Sequence, residues 1–318
     1  MPFSLRSLAL ILLLASCSAS SNQGTSKNQL VIGLGGDPSI LDPAFSYDGS
    51  IPPVVNQISE GLLKFKDGRT IEPNLAEKWE RLDAMTYLYQ IRQGVTFQDG
   101  SPMTTDDVLF SMERIRDPKT ASPMIYMYTN VDKIEKVDEW TIKVTLKQPD
   151  AFWQYVPATA ACHVISKAHY NAHLKDFGKA EGGLLGTGPF RFISWTSGSE
   201  IVLERYDGYW DKKSGGPYLD KLIYKIVPDA NTQVIGLKNG ELGMLIGGGV
   251  VPLDQLPILE KMPNLKVIKA DSALTLSLAF NVQRPPFDNV KVRQALSQAL
   301  DREAMHLRTK PDLQGRNG

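Results

Sequence analysis

The sequence is poor in features that would assign a chemistry. Of its 318 residues only two are cysteine, Cys17 and Cys162. Lys and Arg number 35 and so do Asp and Glu, so no basic surplus argues for a nucleic acid or an anionic membrane face. There is no Gly-x-Ser-x-Gly, no Walker-type loop, no His-Glu-x-x-His and no Cys-x-x-Cys, which leaves nucleophilic and metal-hydrolytic chemistry without a motif. Gly33-x-Gly35 lacks the third glycine and the helix of a dinucleotide loop. The Asp37-Pro38 turn that follows it interrupts the row of amide donors a pyrophosphate needs. Cys162-His163, His169 and His173 come closest to a metal set, and the last two are spaced to share a helical face. Lys167 and Lys175 flank them and no carboxylate cluster is near, so exposed helix histidines are expected, with no metal and no cofactor. No internal repeat is present.

What is present begins at the N-terminus. Arg6 and the free amine form a thin positive region before the apolar run Leu8–Leu14, which is far short of the ~20 residues of a permanent membrane helix. The run ends in Leu14-Ala15-Ser16-Cys17. This resembles the lipobox of bacterial lipoproteins, whose leader is cut before a cysteine that is then acylated. The resemblance implies export, lipidation at Cys17, and attachment to the cell membrane on its periplasmic or extracellular face. Residues 1–16 are then the leader, and the polar stretch 17–28 a solvated tether with nothing to bury. Loss of Arg6 leaves 34 basic against 35 acidic residues. Cys162 is left unpaired, with a small buried apolar role expected. A content of 42% hydrophobic and 22% charged residues is that of a globular protein, and the length suggests about two domains.

Along the chain, Gln29–Leu34 reads as a short buried strand ending at the turn Gly35-Gly36-Asp37-Pro38, and Asp42-Pro43 marks a second turn. Ile51–Leu63 has helical spacing. Tyr87–Arg92 and Thr141–Leu146 alternate as half-buried strands. Between them a helix starts at Thr104 or Thr105, with Asp106 and Asp107 in its first turn, where carboxylates meet the positive pole of the helix dipole. Phe190–Trp195 and Glu200–Tyr206 look antiparallel. Leu222–Val227, Asn231–Lys238 and Leu242–Ile246 form a β-α-β unit. Pro252–Met262, Leu265–Ala270 and Leu274–Phe280 continue the alternation, and Asp288–Glu303 is the last clear helix.

Five stretches, in order, carry a specific resemblance. They are IEPNLAEKWERLD from Ile71, GVTFQDGSPMTTDDVLFSMERIRDP from Gly94, GTGPFRFISW from Gly186, YDGYWDKKSGGPYLDKL from Tyr206, and FNVQRPPFDNVKVRQALSQALDREA from Phe280. Together they resemble the bacterial extracellular solute-binding proteins of family 5, the dipeptide, oligopeptide and nickel receptors of ABC importers. The resemblance covers Gln29 to about Ala304.

It implies an α/β fold of the type II periplasmic-binding-protein kind, with an α+β subdomain inserted in the first lobe. The first lobe is expected at 29–58 plus 178–280, the insert at 59–177 and the start of the second lobe at 281–305. Ligand contacts are expected from loops at strand ends facing a cleft. The candidates are Gly35, Gly36 and Asp37 after the first strand, Gly247 and Gly248 after Leu242–Ile246, and Asn281 at the crossing between lobes. Tyr126, in SPMIYMY, matches a position where oligopeptide receptors offer a tyrosine; a core position is the other reading, given its apolar neighbours. LTLSLAF at Leu274–Phe280 lacks the aromatics that oligopeptide receptors carry there, which weakens a long-peptide assignment.

The function implied is capture of peptides, or of another small solute, for delivery to ABC permease subunits driven by a separate ATPase, by a monomer that is not an enzyme. Receptors for nickel, heme or oligosaccharide, and a binding protein coupled to a chemoreceptor, share the resemblance; an exported hydrolase finds no nucleophile–base pair. Family members are longer, and 306–318 has no apolar period. A truncated form with most of the second lobe missing, a frayed tail and impaired binding is therefore expected.

Overall fold

The computed structural model describes residues 28–301 apart from 48, 69, 215, 247–250, 253 and 269–277. The leader, Cys17 and the tail at 306–318 lie outside the described residues, and so do Gly247 and Gly248. In chain order the elements are β1 (Gln29–Leu34), α1 (Pro52–Ile58), β2 (Leu63–Phe65), β3 (Ile71–Pro73), β4 (Ala76–Arg81) and β5 (Thr86–Ile91). Next come α2 (Thr105–Arg116), β6 (Val131–Asp138), β7 (Thr141–Leu146), α3 (Lys167–Ala172), β8 (Phe190–Thr196) and β9 (Glu200–Arg205). The last are β10 (Lys221–Ile226), α4 (Ala230–Asn239), β11 (Met244–Leu245), α5 (Leu256–Leu259) and α6 (Val290–Ala299). No helix among the described residues is long and apolar enough to cross a membrane.

Two larger sheets organise these elements. One has the order β11-β1-β10-β9-β8, with β1 parallel to both β10 and β11 and the other neighbours antiparallel. The apolar half of β1 explains its central place, because Ile32 and Leu34 are buried in one cluster with Val54, Val55, Ile58, Ile201, Leu203, Leu222 and Tyr224. α4 is stopped at both ends by sequence: Asp229 accepts a bond from Thr232 N at 2.8 Å, and Gly240 ends it at φ 79°, a left-handed value that glycine adopts without strain. The expected β-α-β unit is thus β10-α4-β11.

The second sheet, β4-β5-β7-β6, is fully antiparallel. It buries Tyr87, Tyr89, Ile142 and Val144 against Val108, Met112 and Ile115 of α2. Thr104 is the N-cap of α2, and its backbone N–H and hydroxyl both donate to Asp107 Oδ2, at 2.9 and 2.7 Å. Asp107 Oδ1 also accepts from Lys167 N at 3.0 Å, so one carboxylate orders the starts of α2 and α3.

Three polar devices join the two cores, with Phe45 packed against both. Gln98, in the turn after β5, donates through Nε2 to the carbonyls of Ile58, Gly188 and Phe190 at 2.8, 3.0 and 2.8 Å. Its Oε1 accepts from Gly186 N at 3.1 Å. Glu60 accepts from Tyr209 OH, Trp210 Nε1 and Thr187 Oγ1 at 2.9, 2.8 and 2.9 Å. Arg114 of α2 makes a two-pronged pair with Asp42 in the interior, 2.9 Å for Nη1 to Oδ2 and the second prong from Nη2 to Oδ1. Its guanidinium also lies over the rings of Tyr170 and Phe177.

Two elements differ from the sequence expectation. The helix expected over Ile51–Leu63 ends at Ile58, because Ser59–Gly61 continue extended and place Glu60 among its three donors. A side chain at Gly61 would sit 2.8 Å from Pro157 O, so only glycine permits the close passage. Of the strand expected over Leu265–Ala270, residues 265–268 are described and pair with no strand; β11, two residues long, offers only β1 as a described neighbour. Most of Leu274–Phe280 lies outside the described residues.

Candidate ligand-binding site

The parallel trio β11-β1-β10 sends three chain segments out of one sheet edge, the carboxyl edge at which open α/β sheets bind ligands. Gly35–Asp37 leave β1, Val227–Asp229 leave β10, and Ile246 leaves β11. Val227 N donates to Leu34 O at 2.9 Å, holding the first two exits together. Beneath them Gly33 allows close packing: a Cβ there would meet Leu245 at 2.8 Å and Leu242 at 3.0 Å. Gly35 is exposed and Gly36 half-buried. The nearest heavy atom to a Cβ on Gly36 is Ser50 Cβ at 3.8 Å, so its surroundings are open.

Asp37 is placed at this edge, but its carboxylate is occupied. Trp195 Nε1 donates to Oδ1 at 2.9 Å, while Ser197 Oγ and Gly198 N donate to Oδ2 at 2.6 and 2.7 Å. These donors belong to the end of β8 and the β8–β9 turn, where Gly198 has φ 70°, so Asp37 fastens that hairpin to the exit of β1. A carboxylate with three donors in place has little capacity left for a ligand.

Tyr126 sits in a 3₁₀ helix, Pro123–Tyr128. It is 61% exposed, which removes the core reading for it, while Met124 and Tyr128 of the same turn are buried. This helix packs on the Pro43–Phe45 turn through Ser122 Oγ, which donates to Ala44 O at 2.6 Å. Two residues beyond that turn Tyr47 is 70% exposed, a second free aromatic in the same neighbourhood. Its only signal in the sequence is a tyrosine among polar loop residues. No hydrogen bond or ring contact joins Tyr126 to Gly35–Asp37 among the described residues. Asn281 is exposed and makes a local turn: Oδ1 accepts from Gln283 N and its carbonyl from Arg284 N, both at 3.1 Å.

The histidines and Cys162 go separate ways. Cys162 is buried beside Tyr128 OH at 3.0 Å, and burial pushes its thiol up to about 12, so it stays protonated and unreactive. His163 Nδ1 lies 2.9 Å from Ser59 Oγ, and burial holds its ring down at about 4, so it is neutral at physiological pH. His169 in α3 and His173, its C-cap, place their rings 4.4 Å apart, and both are half-buried where exposed histidines were expected. Among the described residues no group of three or more His, Cys, Asp or Glu side chains is placed to hold a metal ion.

Residues 70–308 match the family described as bacterial extracellular solute-binding proteins, family 5 middle. The chain is 32% identical over 276 residues to the glutathione-binding protein GsiB of Pectobacterium atrosepticum, which covers 86% of this chain and 52% of that protein. Among solved structures, it is similar to the periplasmic binding protein DppA of Helicobacter pylori in complex with the peptide STSA. The TM-score there is 0.74 at 29% identity, over 88% of this chain and 57% of that one. The oligopeptide-binding protein AppA of Bacillus subtilis, solved with a nonapeptide, gives 0.74 at 29% identity, over 88% and 55%. The chain therefore spans about half the length of the relatives it matches, and its α/β fold is of the type II periplasmic-binding-protein kind.

Proposed function

The chain belongs to the bacterial extracellular solute-binding proteins of family 5, and on that footing we propose that it is the substrate-binding component of an ABC importer for glutathione or short peptides. It captures solute and passes it to permease subunits driven by a separate ATPase, working as a monomer and without catalysis. The observation that carries this reading is the likeness, at about 30% identity and across most of the chain, to proteins named for glutathione and peptide binding.

Exposed Gly35, half-buried Gly36 and the Tyr126 ring form one wall of the binding cleft. Glycine lets a ligand main chain approach closely and leaves amides free to donate to its carbonyls, and a tyrosine supplies a rigid apolar face with a polar tip. Gly247, Gly248 and Asn281 contribute to the same cleft, and residues 59–177 act as an inserted unit built on the β4-β5-β7-β6 sheet. Asp37 shapes the wall through the β8–β9 hairpin. A lipid on Cys17 keeps the protein beside its permease.

Calorimetric titration of the chain with glutathione and with a dipeptide tests the proposal. Saturable binding of at least one of the two solutes is expected. Tyr126→Ala should weaken it several-fold. No saturable heat with either solute, or binding indifferent to Tyr126→Ala, would overturn this account of the site. Independently, Cys17→Ala should move the protein from the membrane fraction to the soluble one.

A further inference from the structure

Away from the carboxyl edge of the large sheet, a groove of about 810 Å³ runs between β4, the turn after β5 and the segment after β9. Arg92 lies on its wall, held by two contacts that leave its working end free. Its Nε donates to Asn74 O at 3.0 Å, and its guanidinium lies over the Trp210 ring, 4.6 Å from the centroid. Both supports are themselves fixed from the interior. Asn74 is buried and donates through Nδ2 to Gly61 O at 3.1 Å, and the Trp210 indole N–H is held by the buried Glu60 at 2.8 Å. The two Nη groups of Arg92 have no hydrogen-bond or ion-pair partner among the described residues. An arginine stacked on an aromatic ring with its fork unpaired is preorganised for an oxyanion, because little side-chain freedom remains to be lost.

The rim adds Lys212 and Lys213, both exposed and without a partner among the described residues. Glu77 and Asp211 line the same groove, Asp211 with Lys64 at 3.8 Å. Three cations against two carboxylates, one of them also met by Lys64, leave the groove with a positive surplus that favours an oxyanion.

We propose that this groove is an anion site separate from the solute cleft, in which Arg92, seated on Trp210, receives one phosphate group with Lys212 and Lys213 at the rim. The phosphate comes either from free phosphate or from the headgroup of an anionic lipid, and the two sources share the same chemistry at Arg92.

The test is titration of the chain at fixed ionic strength with inorganic phosphate, by calorimetry, and with phosphatidylglycerol vesicles, by sedimentation. Saturable binding of either is expected, reduced about tenfold by Arg92→Gln and several-fold by the exposed double substitution Lys212→Gln/Lys213→Gln, with far-ultraviolet circular dichroism unchanged. Phosphate binding alone identifies the free ion as the source, and vesicle binding alone, by the Cys17→Ala chain, which has no lipid to hold it to the vesicle, identifies the headgroup. The proposal is overturned if neither probe binds, or if binding survives both sets of substitutions undiminished. The lysine pair lies on the surface, so this arm remains decisive even if Arg92→Gln disturbs the fold. Glutathione binding is read separately, so failure here leaves the solute cleft untouched.

Discussion

Gln98 offers the sharpest test of what holds the two sheets together. Its amide nitrogen carries two protons and faces three carbonyl oxygens, those of Ile58, Gly188 and Phe190, while its oxygen accepts from Gly186 N. Two protons make at most two full bonds, one of them shared, so the side chain contributes the equivalent of three. At about 1 kcal/mol net each, Gln98→Leu should cost about 3 kcal/mol. That is a large part of the roughly 5–15 kcal/mol that stabilises a domain. In urea this is a midpoint lower by about 1 M, taking a slope near the upper end for small proteins, with the slope itself unchanged. Gln98→Glu separates hydrogen bonding from shape. An ionised carboxylate has no proton for the three carbonyls, so this variant should be less stable than Gln98→Leu at neutral pH. Protonation restores one donor, and a carboxyl whose folded pKa is raised gains relative stability as the pH falls through that value. Stability should therefore recover towards acid in Gln98→Glu and not in Gln98→Leu. A loss below about 0.5 kcal/mol in Gln98→Leu, the range of ordinary surface changes, would refute the reasoning. So would equal stability of the two variants at pH 7.

Arg114→Met should destabilise by about 3–5 kcal/mol, because it strands the buried Asp42 carboxylate. Adding Asp42→Leu should return much of the loss, and a denaturant-melt double-mutant cycle measures this. For Glu60, burial raises the carboxyl above its usual 4.5 despite the bonds from Trp210, Thr187 and Tyr209. The folded chain therefore binds that proton more tightly than the unfolded one, and stability falls as the pH rises from about 4.5 through the raised value. Glu60→Gln should remove this slope and match or exceed the parent at pH 7 in a thermal melt; a loss beyond about 2 kcal/mol would mean that the bonds to the ionised form outweigh its desolvation.

Elements whose burial follows a simple period were legible in the sequence. β7 buries every second residue of TIKVTL, and α2 carries both its cap and its apolar face in TTDDVLFSMERI. β4 and β6 were not legible for the opposite reason. AEKWER exposes half of its side chains and VDKIEKVD six of eight, so their strand character comes from pairing with β5 and β7. Trp79 and Ile134 mark a buried side too sparsely to set a period of two. The helix that stops at Ile58 shows a related limit. Its periodicity runs on through Leu62, but Glu60 finds donors at positions 187, 209 and 210, and no local pattern records bonds across more than 120 residues of sequence.

The same asymmetry decides how the candidate site was read. Glycines after a strand are visible as such, and Gly35 is exposed and Gly36 half-buried at the carboxyl edge. An aspartate in the same turn carries no mark of whether its oxygens face a ligand or a neighbouring hairpin. Asp37 is claimed by Trp195, Ser197 and Gly198, all contributed by a hairpin that begins more than 150 residues later. Tyr126 is the converse case. Apolar neighbours on both sides left a core position open as a reading, but in the folded 3₁₀ helix Met124 and Tyr128 turn inward while Ile125 and Tyr126 face out. A short apolar run in a sequence therefore does not fix which of its members faces solvent.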